Sequence, residues 1–139
     1  MKKRVTLKVI IFLCLAAVVY AGANIYNFSV SQDSDNADLS WTANGETSSM
    51  EFVIERKTSN TDYVNIATVK VNDTHSYQYQ DRSIYKTTGN TYYYKVLLVD
   101  INSVNSGNLN ILSSSNEKML IPHISGIKNT WGSIKAMFR

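Results

Sequence analysis

Few residues in this chain have the type and spacing to do chemistry. His75 stands two positions from Asp73 in a polar stretch, where an imidazole could act as a base or a metal ligand. A solvated loop histidine is the preferred reading of it, and His123 lies far away in sequence. Glu51 and Glu55 fall on one face of an alternating segment, whereas glycoside hydrolysis needs carboxylates opposed across a cleft. Gly45 and Gly89 have no phosphate-cradling motif around them. The single cysteine, Cys14, sits in an apolar leader, and two histidines without a further thiol do not make a structural zinc site. These residues predict no catalytic group, no cofactor and no metal, so the chain is expected not to be an enzyme.

Recognition is the chemistry the composition favours instead. Tyr63, Tyr85 and Tyr93 exceed what a core requires, and tyrosine offers a large rigid area with a polar tip. They are candidate binding residues, although packing on neighbouring strands is the commoner role for such rings. A second group lies near the end, where Thr130 can cap a short helix that puts Trp131, Ile134 and Phe138 on one face beside Lys128, Lys135 and Arg139. So short a helix requires a partner surface. Its own domain, another protein and an anionic membrane leaflet are the surfaces open to it.

The elements that hold these groups begin with an export signal. Lys2, Lys3 and Arg4 precede an apolar run from Val9 to Val19 and small residues at Ala21, Gly22 and Ala23, with cleavage expected after Ala21 or Ala23. The uncharged stretch is shorter than the roughly 20 residues of a spanning helix. Phe12 and Leu13 do not suit a lipid-attachment motif before Cys14. Residues 1–23 therefore read as a signal helix, 24–122 as one domain and 123–139 as a basic amphipathic tail. The expected location is outside the cytoplasm, in periplasm, cell surface or exterior.

Without the leader no cysteine remains, so a hydrophobic core rather than disulfides must stabilise the domain. Residues 24–115 hold 6 basic and 10 acidic side chains, a net −4, whereas 116–139 hold 4 and 1, a net +3. A body of that sign repels phosphate backbones and excludes nucleic acid as a partner. Membrane contact is expected only through an uncleaved signal or weakly through the tail.

Within the domain, apolar residues alternate at period two. Tyr26, Phe28 and Val30 form one face, and Ala37, Leu39, Trp41 and Ala43 another. In Met50 to Lys57, Met50, Phe52 and Ile54 face inward with Glu51 and Glu55 in water. An edge strand over 63–71, a strand through Tyr77 and Tyr79 and a long central strand from Thr91 to Asp100 follow, with Tyr92, Tyr94, Val96 and Leu98 inward. The last strand is Asn108 to Leu112, Glu117 to Ile121 or one interrupted between them, and Glu117 to Ile121 is preferred.

About seven short antiparallel strands without a helix predict an all-β, immunoglobulin-like sandwich. The segments Leu39-Ser40-Trp41-Thr42, Phe52-Val53-Ile54-Glu55-Arg56, Tyr77-Gln78-Tyr79-Gln80-Asp81 and Thr91-Tyr92-Tyr93-Tyr94-Lys95-Val96 carry the resemblance further. In order and spacing the domain resembles the fibronectin type III family. The resemblance implies Trp41 as the central core residue beside Tyr94 and Val96. It implies Tyr92 as the corner tyrosine, bonded to the preceding connection, and no catalytic residues. That connection, from Ile84 to Thr91, departs from the family's compact leucine, proline, glycine pattern. The expected role is an exported, non-catalytic binding or adhesion module with a protein or glycan partner. The alternative is a structural subunit that docks through its tail or a sheet edge, including self-assembly.

Overall fold

A computed structural model describes residues 22–84, 90–104 and 106–123. The signal segment through residue 21, Tyr85, and the tail residues Trp131, Ile134 and Phe138 lie outside the described residues. The described chain is built from antiparallel strands: β1 (Asn24–Asp33), β2 (Asn36–Asn44), β3 (Met50–Thr58), β4 (Val64–Lys70), β5 (Ser76–Asp81), β6 (Tyr92–Asp100), β7 (Ile111–Ser114) and β8 (Lys118–Leu120). Its helix is a single turn, α1 (Ile101–Val104). One sheet has the order β1-β2-β5, and the other has β4-β3-β6-β7 with β8 also on β6.

The two sheets meet through their inward rows. Leu39, Trp41 and Tyr77 from the first join Phe52, Ile54, Tyr94, Val96 and Leu98 from the second in one buried cluster, and Tyr92 is buried with them. Strand β2 shows why these residues make strands: Ala37, Leu39, Trp41 and Ala43 are buried while the residues between them are not. Such alternation fits a sheet with one face on the core and one in water.

Three segments depart from simple alternation. In β1 the register with β2 shifts between Tyr26 and Ser29, and Asn27 takes a φ of 53°. A bulge adds one residue and turns the following side chains over. Ile25 and Phe28 therefore both approach the core, and Tyr26, expected inward, is 46% exposed. In β3, Glu51 is buried rather than in water. The outer face of this sheet is covered too: Val53, Leu97 and Val99 form a second buried cluster against Val104 and Leu109, from α1 and the stretch after it.

The end of the domain is an interrupted strand, not the continuous Glu117 to Ile121 strand preferred from sequence. Strand β7 pairs with β6 at Leu97 to Val99, and β8 pairs with it at Tyr92 to Tyr94. Between them Ser115 keeps the chain attached, because its N–H donates to the Val96 carbonyl at 2.8 Å and its hydroxyl accepts from the Val96 N–H at 2.9 Å. Ser115→Ala removes the second bond and leaves the Val96 N–H without that acceptor. It is expected to cost about 1 kcal/mol in urea unfolding and to speed amide exchange at Val96.

A buried ionic cluster ties β5 to the second sheet. The Asp81 carboxylate, 1% exposed, accepts from Arg56 at 2.6 Å, from the Tyr94 hydroxyl at 2.9 Å, and from the Ser83 N–H and hydroxyl at 2.9 and 2.6 Å. The Arg56 guanidinium also lies 5.6 Å from the centre of the Tyr92 ring. Burial pushes the Asp81 carboxyl up, but the hydrogen bonds from Ser83, Arg56 and Tyr94 outweigh it and hold the group below the usual carboxylate range.

Candidate binding face

The outer face of the second sheet gathers aromatic and charged residues. Antiparallel register sets Glu55 opposite Lys95 and Lys57 opposite Tyr93, and Tyr93 opposite Met119 on the far side. Residues two apart on a strand share a face, so these side chains form adjacent cross-strand rows. Tyr63 enters from the edge, after a turn in which the Thr58 N–H donates to the Thr61 hydroxyl at 2.9 Å.

The lysines organise the rings. The Lys57 ammonium lies 4.7 Å from the Tyr63 ring centre and 5.1 Å from that of Tyr93, and the Lys95 ammonium lies 4.1 Å from Tyr63. Lys57 also pairs with Glu117 at 2.9 Å, and Lys95 with Glu55 at 2.8 Å. The Tyr63 hydroxyl donates to Glu117, which fastens the β4 edge to the segment entering β8. Burial and the Glu117 acceptor raise the Tyr63 phenol well above its ordinary range. Hydrogen bonds from Tyr63 and Lys57 lower the Glu117 carboxyl. The phenol thus stays protonated and the carboxylate ionised at neutral pH.

Structure therefore brings Tyr63 and Tyr93 together around Lys57. Lys57, Lys95 and Glu117 are the members that sequence reasoning did not single out, and Glu55 was weighed there only as a carboxylate beside Glu51. Their signal was the paired pattern Glu55-x-Lys57 and Tyr93-x-Lys95, which is readable only once the two strands are set in register. Because each ammonium has a carboxylate partner, the face offers fixed rings and polar tips rather than net charge. Such a surface suits contact binding. It does not supply an activated nucleophile or a proton shuttle.

His75 sits apart, at the turn before β5, with a φ of 55°. Its Nδ1 is 2.8 Å from Glu46 Oε1, and the Tyr77 hydroxyl donates to the same oxygen at 2.8 Å. The partner is Glu46, from the β2–β3 connection, and not the nearby Asp73. Burial raises the Glu46 carboxyl, but the His75 and Tyr77 hydrogen bonds prevail and lower it. Burial, with Glu46 as acceptor, lifts the Tyr77 phenol to about 12. Among the described residues no three His, Cys, Asp or Glu side chains converge as metal ligands.

No protein-family model and no curated protein matches the chain. Solved structures do. Pectate lyase PelI from Erwinia chrysanthemi, in complex with tetragalacturonic acid, is similar over 71% of this chain and 28% of its own, with 21% identity and a TM-score of 0.48. Two structures of pectate lyase Pel3 from Pectobacterium carotovorum are similar with 18% and 17% identity and TM-scores of 0.49 and 0.50. They cover 76% and 71% of this chain and 28% and 27% of Pel3. The chain thus spans little more than a quarter of the length of the proteins it matches. At these identities the likeness shows the fold alone.

This finding corrects the expectation that the chain is not an enzyme. That expectation took the missing catalytic constellation as decisive. The matched solved structures are enzymes, and the likeness reaches only 27–28% of each, so a fold of this kind does not set a chain apart from enzymes.

Proposed function

We propose that the domain is a fibronectin type III-like sandwich that works as an exported binding or adhesion module, at the cell envelope or outside the cell. Its partner is a protein or a glycan. Three strands against five, of which β7 and β8 follow one another along β6 and fill one strand position, support the fibronectin-like reading over a constant-type immunoglobulin arrangement, as does the pairing of β4 with β3 and not with β5. The cationic leader followed by an apolar run supports export.

The observation that carries the binding role is the pinned pair Tyr63 and Tyr93, held over Lys57 on the open face of the second sheet. Rings already fixed by cation–π contacts lose little freedom when a partner settles on them. Tyr93→Ala is expected to weaken retention on the native cell surface at least about tenfold, the equivalent of about 1.4 kcal/mol, while the melting curve shifts little. Unchanged retention would remove this face from the interaction.

A second reading, a structural subunit joined through a sheet edge, is favoured by β7. Its Ile111 and Leu112 are 52% and 43% exposed on an uncharged strand that pairs only with β6 among the described residues. Such an edge is a template for another strand. Light scattering after size exclusion separates the readings, since a monomer that persists at high concentration rejects self-assembly.

A further inference from the structure

The second sheet's outer face is covered near Val53 by Val104 and Leu109, whereas the first sheet has no such cover among the described residues, and its outer face is a trough. Its cross-strand rows are Ser31–Asp38–Gln80 and Ser29–Ser40–Gln78, and Thr42 pairs with Ser76 beyond them. Short side chains on the central strand beside longer amides on β5 leave two depressions, of about 520 and 400 Å³. Both include Ser40 and Gln78, so they are continuous along β2. From Asp38 to Thr42 the floor runs about 13 Å, at about 3.4 Å per residue.

The chemistry of the lining is narrow. Hydroxyls and amides dominate it, and each can donate and accept. The groups are preorganised: Ser29 and Ser40 hydroxyls are 2.8 Å apart, the Asn27 amide donates to Thr42 at 3.2 Å, and the Gln80 amide donates to Asp38 at 2.9 Å. Arg82 donates to the Gln80 carbonyl oxygen at 2.9 Å, which fixes the orientation of that amide. Asp38 is the one formal charge in the trough lining, and it is negative.

We infer that this trough is a binding site for a neutral, hydroxyl-rich ligand, an uncharged oligosaccharide chain. A polyanion would meet Asp38 and a body of net −4. An apolar ligand would find little to hold there, because Leu39, Trp41 and Tyr77 in the lining bury their side chains in the core. A protein partner is disfavoured because protein interfaces centre on aromatic and arginine anchors and are poor in serine and aspartate. A sugar chain matches the lining instead, since its vicinal hydroxyls both donate and accept at the spacing of neighbouring side chains. The inference rests on the reading of the domain as a binding module and names one ligand class for it.

Amide-resolved NMR titration of the full chain with maltohexaose, cellohexaose and xylohexaose, and with hexagalacturonate in parallel, tests this. The expected result is a saturable shift of Ser40, Gln78 and Gln80 with at least one neutral hexamer and none with hexagalacturonate. Gln78→Ala/Gln80→Ala, whose melting curve checks the fold, should weaken that binding at least about tenfold. Tyr93→Ala should leave it unchanged. Silence towards every neutral hexamer at millimolar concentration, or preference for the uronate, overturns the inference. Shifts confined to the Tyr63 and Tyr93 face overturn the trough while leaving the binding module standing.

Discussion

Asp81→Ala is expected to lower the unfolding free energy by about 3–5 kcal/mol, because it breaks a buried ion pair from one side. The Asp81 side chain is 2% exposed and that of Arg56 18%, so the guanidinium would be left mostly out of water with its charge uncompensated. The Tyr94 hydroxyl, fully inside the core, would lose its acceptor as well. Tyr94→Phe removes one bond to a charged group and leaves the Arg56 and Ser83 contacts in place. Its cost should be smaller, about 1.5–3 kcal/mol. The two losses should be less than additive in the double variant, since both delete the same Tyr94 to Asp81 bond. A cost below about 1 kcal/mol for Asp81→Ala would mean that the cluster is not a stability determinant.

The same carboxylate should set part of the acid limit of the fold. Its folded pKa lies below the unfolded value of about 3.9, so the stability it contributes is present in full above that value. That contribution is lost as pH falls through the folded pKa, when the native state must take up the proton. Arg56, raised by Asp81 against the opposing effect of burial, keeps its charge throughout. Unfolding free energy should therefore fall below about pH 4 in the native protein and fall less steeply in Asp81→Asn, which has no proton to gain at this site.

How much of this was legible depended on whether one face of each strand met water. In β2 it does, and the buried set Ala37, Leu39, Trp41 and Ala43 can be read from period two. In β3 it does not, and the rule placed Glu51 in solvent because nothing local announces that α1 and Leu109 will cover the outer face near Val53. The bulge at Asn27 was equally silent, since asparagine tolerates a left-handed backbone without requiring it. The interruption around Ser115 weakens the strand signal, although its hydroxyl replaces a ladder bond. For the candidate face, residue types were visible but partners were not. Lys57 and Glu117 lie 60 positions apart, and only the pairing of β3, β6 and β8 brings them together. The Asp81, Arg56 and Tyr94 cluster was hidden for the same reason.

Trp41 offers the other large effect, and a pair of substitutions can divide it. The indole is 2% exposed, packs edge-on to Phe52 at 5.5 Å and stacks on Tyr77 at 5.6 Å. Phe52 and Tyr77 touch at 4.4 Å, so three rings bridge the two sheets. Trp41→Ala removes the central ring and should cost about 3–5 kcal/mol, the transfer of a large side chain plus the cavity it leaves. Trp41→Phe should cost much less. The indole Nε1 is buried with no hydrogen-bond partner among the described residues, so its N–H gives up hydration without return, a penalty of about 1–3 kcal/mol. Phenylalanine removes that penalty and retains an aromatic contact worth about 0.5–1.5 kcal/mol with each neighbour, against a smaller lost volume. The expected order is a modest loss for Trp41→Phe and a severe one for Trp41→Ala, read from urea unfolding followed by circular dichroism. Equal losses would show that the indole N–H contributes to stability, and that shape alone does not account for tryptophan between the two sheets.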